Sequence, residues 1–246
     1  MIFLLHIPKT AGQTVRQLIH QAIKPHKILV LQTPMQIAYV SDEELASYPL
    51  IAGHVGFNMH KRLPPSAKTI TFLRDPVSRA ISQYRYFTKL SGDPNMPVNQ
   101  FQSYVRGRSL EELLMDRNDP ITEQFFCNMQ THALHSDFWT PFRRAIQGQA
   151  PEQILEQAIE NLQRIEVVGI VEHMEESIRR MNAILGWPEM PIPHNNPSQE
   201  NTKVEISPSL VELIRERNQL DVQLYEFARK RFEAQADVVP NETVTP

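Results

Sequence analysis

The chain has 246 residues, 41% of them hydrophobic, and sets 25 Lys and Arg against 28 Asp and Glu for a net charge of -3. That is enough apolar material for one sizeable domain, expected over residues 1–235 with a flexible tail at 236–246, and the near-balanced charge argues against a general nucleic-acid or anionic-membrane binder. A single cysteine, Cys127, excludes an intrachain disulfide framework and a cysteine-rich metal site, and fits a reducing compartment such as the cytoplasm.

No apolar run approaches the roughly 20 residues of a membrane span, and the first residues lack the basic region and cleavage site of a signal peptide. Along the chain, strand-like and helix-like segments alternate. Strands are expected at 2–5, 27–31, 50–53, 69–73 and 166–171. Helices are expected at 14–23, 76–89, 121–133, 151–162, 174–185, 208–217 and 221–232. Residues 91–100 read as a loop by their Gly, Pro and Asn content, and 188–203 are too proline-rich for regular structure. The alternation predicts an α/β fold with a mostly parallel central sheet covered by helices.

The first turn, FLLHIPKTAGQT from Phe3 to Thr14, carries the most chemistry. A buried strand delivers the chain to the sheet edge at His6, Pro8 blocks continuation of the ladder, and Gly12 permits close backbone approach where a helix begins. A helix start of this kind favours an anion, and Lys9 with the hydroxyls of Thr10 and Thr14 would complete a phosphate cradle. The lysine precedes the glycine, unlike the nucleotide loop G-x-x-x-x-G-K-[ST], which disfavours a standard ATPase. An ordinary turn with a solvated lysine would share these features.

A second unit, TITFLRDPVSRAISQYRYF from Thr69 to Phe87, repeats the architecture: Arg74 ends a strand, Asp75 suits the N-cap and Pro76 the first helical position. Arg79 and Ser82, three apart, share a helix face, whereas Arg74 and Ser82, eight apart, meet only through a ligand between them. The alternative is an Arg74 paired with a carboxylate and a Ser82 merely tolerated in the helix.

HIPKTAGQT (6–14) resembles the 5′-phosphosulfate loop of the sulfotransferase superfamily's carbohydrate branch, and RDPVSRAIS (74–82) resembles its 3′-phosphate motif. IAGHVGF (51–57) is similar to the histidine-bearing strand end of the uronyl 2-O-sulfotransferases, and QFFCNMQTHAL (124–134), 158–187 and 201–232 resemble later blocks of the same family. Residues 91–120 match none of them. The resemblance implies a P-loop-like three-layer α/β fold, the donor 3′-phosphoadenosine-5′-phosphosulfate, no metal, and a hydroxyl-bearing acceptor, a sugar or polysaccharide. It assigns Lys9 to the 5′-phosphate and bridging oxygen, Thr10, Ala11, Gly12, Gln13 and Thr14 to the loop, and Arg74 with Ser82 to the 3′-phosphate.

An attacking alcohol must lose its proton, and a histidine near its reference pKa of about 6.5 suits that task. His54, at a strand end and at the family's GHV position, is the candidate base, and His6 the nearest competitor, expected to shape the turn. His60, His132, His135 and His173 are expected to be structural or surface residues, as is His194, with an acceptor contact as its second reading. Phe125, Phe126 and Met129 read as core, Glu172, Glu175 and Glu176 as a solvated helix start, and Arg215, Glu216 and Arg217 as facing water. An atypical P-loop phosphotransferase is the competing activity, and a non-catalytic nucleotide- or glycan-binding module the competing role.

Overall fold

The computed structural model describes residues 1–31, 34–91, 100–136, 148–192 and 206–235. Five strands, β1 (Ile2–Leu5), β2 (Ile28–Leu31), β3 (Leu50–Gly53), β4 (Lys68–Leu73) and β5 (Val167–Ile170), form one sheet in the order β2-β3-β1-β4-β5. Every neighbouring pair is parallel. Interior parallel strands are covered on both faces and therefore read as continuous apolar runs, as IFLL and LIAG do; β2, at the sheet edge, leaves Val30 36% exposed.

The helices are α1 (Gly12–Ile23), α2 (Asp42–Ala46), α3 (Pro76–Ser91), α4 (Gln100–Val105), α5 (Leu110–Met115), α6 (Pro120–Phe126), α7 (Met129–His135), α8 (Pro151–Gln163), α9 (Met174–Leu185), α10 (Pro208–Arg217) and α11 (Gln219–Ala234). Alternate residues of β1 face opposite sides of the sheet. Ile2 and Leu4 pack with Val15, Leu18 and Ile19 of α1 and with Ile178 and Met181 of α9. Phe3 and Leu5 belong to the larger core built by α3, α6, α7, α8, α10 and α11. The helices after β1 and β4 thus lie on opposite faces, although the two strands are neighbours. The C-terminal edge between them is the switch point where open α/β sheets bind ligands.

All five expected strands and most expected helices are present, with ends shifted by two residues at most. The largest correction concerns 121–133, which is not one helix. The chain breaks between α6 and α7, where Cys127 is extended and Asn128 left-handed at φ 48°. Two buried charges stabilise the break. Arg79 of α3, 0% exposed, donates to the Phe125 and Phe126 carbonyls at the C-terminal end of α6. Asp221 of α11, also 0% exposed, accepts from the Gln130 and Thr131 amides at the start of α7. A cation at one helix end and an acid at the next complement the two dipoles. Burial lowers the Arg79 pKa and raises that of Asp221, and each charge opposes the other's shift. Arg79 is therefore a core residue and shares no ligand-facing surface with Ser82.

One other surface expectation is overturned. Arg217 is 7% exposed, pairs with Glu123 and donates to Cys127 Sγ. Glu172 is exposed as expected, and its carboxylate also accepts from the Asp75 amide at 3.0 Å and from the Tyr225 hydroxyl at 2.8 Å, so it joins the start of α3 to α11. Helices α2, α4 and α5 were not foreseen. The expected loop at 91–100 falls largely, and the tail at 236–246 wholly, outside the described residues, as does His194; residues 188–192 carry no regular structure.

Candidate active site

The turn after β1 is held by its own backbone. Lys9 and Ala11 adopt left-handed φ angles of 69° and 61°, a region that costs a non-glycine residue on the order of 1–2 kcal/mol. Thr10 is 1% exposed, and its hydroxyl donates to the Ile7 carbonyl at 2.8 Å, closing the turn from inside. Gly12 is demanded by a neighbour: a Cβ there would lie 1.9 Å from His6 Cδ2. Helix α1 then begins at Gly12 with no side-chain cap from Ala11 and no acidic residue in its first turn, which includes exposed Gln13 and half-buried Thr14. An uncapped first turn leaves amide donors and the positive end of the helix dipole facing the turn, the arrangement that receives a phosphate.

The turn after β3 is locked to the first. Gly53 approaches β2 so closely that a Cβ would lie 2.3 Å from the Leu31 carbonyl oxygen, which accepts the His54 amide at 2.9 Å. His54 Nδ1 donates to the His6 carbonyl at 2.9 Å, and the two imidazole centroids are 4.5 Å apart. A carbonyl can only accept, so the neutral His54 ring carries its proton on Nδ1 and its lone pair on Nε2. Burial lowers the His54 pKa, the bond to the His6 carbonyl opposes that shift, and the Arg16 charge adds to it. Burial, with the charges of His54, Arg16 and Lys9 behind it, lowers His6 to about 3. Both rings are neutral near pH 7, as an acceptor of protons must be.

The turn after β4 supplies the other side. Arg74 Nη1 donates to the Lys9 carbonyl at 3.3 Å, tying this strand end to the first turn. Its backbone is gripped by Gln130, whose Oε1 accepts the Arg74 amide and whose Nε2 donates to the Arg74 carbonyl, both at 2.9 Å. Asp75 Oδ1 accepts the Ser78 amide at 2.8 Å, capping α3 as expected. Ser82 lies further along α3, half-buried, and one turn beyond it Tyr86 carries the Lys9 ammonium 4.4 Å from its ring centroid. The fold therefore brings Lys9, Arg74, His54 and the start of α1 to one edge, with Ser82 reached from the α3 side. Sequence reading overlooked Gln130, Tyr86 and Arg16. Only Tyr86, at helical spacing from Ser82, carried a local signal.

Among the described residues no group of three or more His, Cys, Asp or Glu side chains is arranged to hold a metal ion. The assembled groups can hold a phosphorylated ligand at a helix start and present a neutral imidazole beside it.

A parallel sheet with such a turn after its central strand defines a P-loop-like α/β fold. The sequence matches the model of the Sulfotransferase family over residues 1–228, and the chain belongs to that family. Among solved structures it is similar to a sulfotransferase from Alicyclobacillus acidocaldarius at 16% identity, covering 94% of this chain and 98% of that one with a TM-score of 0.50. A second similar structure is mouse sulfotransferase SULT7A1 complexed with PAP, at 17% identity over 87% of this chain and 62% of that one with a TM-score of 0.34. No curated protein sequence matches the chain. No helix among the described residues is long and apolar enough to cross a membrane.

Proposed function

We propose that this chain transfers a sulfuryl group from 3′-phosphoadenosine-5′-phosphosulfate to a hydroxyl of a carbohydrate-like acceptor, acting as a single domain over residues 1–235 in the cytoplasm. The observation that carries the reading is the His54 hydrogen bond to the His6 carbonyl, which holds a neutral imidazole against an anion-receptive turn. The donor's phosphates fit the groups present: the uncapped start of α1 and Lys9 suit the 5′-phosphate, and Arg74 with Ser82 the 3′-phosphate.

In the transfer, His54 Nε2 accepts the proton of the acceptor hydroxyl as its oxygen bonds to sulfur. The bond from sulfur to the bridging oxygen breaks, and its electron pair stays on the 5′-phosphate. Lys9 and the α1 amides meet that growing charge, which they stabilise more in the transition state than in the ground state. The products are the sulfated acceptor, 3′-phosphoadenosine-5′-phosphate and a protonated His54.

Similarity of IAGHVGF to the uronyl 2-O branch supports a sugar acceptor. A screen with ³⁵S-labelled donor against polysaccharides, small glycosides and lipid alcohols tests the reading, with label expected in a saccharide fraction. Tight binding of 3′-phosphoadenosine-5′-phosphate with no transfer to any acceptor class would favour a binding module, and preference for ATP a phosphotransferase.

A further inference from the structure

Gln130 is 0% exposed, lies 56 residues from Arg74 in sequence, and spends both ends of its amide on that one residue. Arg74 is the first residue past the end of β4, so the sheet ladder no longer fixes it. The Gln130 side chain supplies the acceptor and donor that a neighbouring strand would offer, and thereby continues the ladder by one residue. Direction at this point matters because the Arg74 guanidinium leaves the strand end toward the Lys9 carbonyl.

Gln130 is itself fixed from three sides. Its amide donates to Asp221 Oδ2 at 3.1 Å, while the Thr131 amide and hydroxyl hold Asp221 Oδ1 at 2.7 and 2.8 Å. Asn128 Oδ1 accepts the Leu220 and Asp221 amides, and the Asn128 amide donates to Asn218 Oδ1. Arg79 closes the preceding helix. A straight helix through this segment would satisfy its own backbone without burying Arg79 and Asp221. The break turns the start of α7, and Gln130 with it, against the end of β4.

We infer that Gln130 is a positioning residue for the donor's 3′-phosphate site, holding the Arg74 peptide so that its guanidinium meets that phosphate. The inference rests on the reading of Arg74 as a 3′-phosphate ligand.

Affinities for 3′-phosphoadenosine-5′-phosphate and for AMP, which lacks the 3′-phosphate, are compared by calorimetry in the wild type, Gln130→Met, Arg74→Ala and the double variant. Gln130→Met should weaken the bisphosphate about tenfold or more, as small misplacements of a binding group do, and AMP by less than about threefold. Added to Arg74→Ala it should cost little further, because the two act on one contact. Gln130→Asn, neutral but one methylene short of Arg74, should show the same selective loss and keeps the pocket polar if the methionine variant fails to fold. Equal weakening of both nucleotides alongside a selective Arg74→Ala would overturn the role of Gln130 alone. So would multiplying losses in the double variant, or loss of cooperative folding in both Gln130 variants. An Arg74→Ala protein that weakens both nucleotides equally would instead remove the 3′-phosphate reading, and this inference with it.

Discussion

The two strand–turn–helix units at the centre of the sheet look alike in sequence and solve their helix starts differently. After β4, α3 is satisfied from within the protein: Asp75 caps the Ser78 amide, and Glu172 accepts the Asp75 amide. After β1, α1 has neither a side-chain cap nor an acid in its first turn, and the turn before it holds two left-handed non-glycine residues. Two carboxylates at the α3 start repel an anion, so that unit contributes through the Arg74 side chain and the outer helix face. The α1 start is left for an anion. Strain and a missing cap at one helix start, against a capped start at the other, separate a helix start suited to an anion from one suited to the fold.

If that division holds, damage to the first unit and its partner His54 should remove turnover and spare stability. The largest effect is expected from His54→Ala. The protein should fold, bind 3′-phosphoadenosine-5′-phosphate, and lose roughly 100-fold or more in sulfuryl transfer, the usual worth of a general base. Near-normal turnover by a soluble, nucleotide-binding variant would move the proton acceptor elsewhere, with His6 a poor substitute because burial holds it at about 3 and its ring packs on Gly12. Lys9→Ala comes next. Its ammonium gains importance as charge builds on the leaving phosphate, so kcat should fall by about 10- to 100-fold while affinity for the desulfated nucleotide changes less. A kcat left unchanged in single-turnover measurements would assign Lys9 a structural role, such as its contact with Tyr86.

The capped α3 start should answer in the opposite way. Asp75→Ala removes the α3 cap and should lower unfolding free energy by about 1 kcal/mol in urea titration, with kcat within about twofold of wild type. A large drop in kcat with unaltered stability would erase the distinction between the units.

This contrast was only half legible in the sequence. The strands β1, β3 and β4 were readable because buried parallel strands are continuous apolar runs, and the turn after each falls where ligands bind. Asp75 and Pro76 announced the start of α3. Ser41 with Glu44 and Ser109 with Glu112 offered the same kind of signal for α2 and α5, and the structure uses both serines as caps. The break at Cys127–Asn128 was not readable. Its causes are Arg79 and Asp221, each far from it along the chain, and the local spacing of 121–133 still reads as helix. The partners of Glu172, Gln130 and Arg217 were not readable for the same reason: each lies about 50 to 100 residues away, and no periodicity encodes such a partner.

The smallest expected effect tests the electrostatics of the open unit directly. His54 is lowered first by burial and then by the exposed Arg16 on α1, against the opposing bond to the His6 carbonyl. In nucleotide-free protein its ring protons, followed by NMR, should therefore titrate below 6.5, its ordinary value. Arg16→Ala removes one charge that disfavours the imidazolium, so the titration should move upward, toward 6.5. The change should be small, because a solvent-exposed charge acts through a high effective dielectric. Adding 3′-phosphoadenosine-5′-phosphate should move it upward as well, since an anion seated on the β1 turn favours the protonated ring. A His54 titration at or above 6.5 in the free protein, or one that falls when Arg16 is removed, would contradict the neutral, burial-lowered imidazole. A nucleotide that binds without moving His54 would place its phosphates away from the β1 turn.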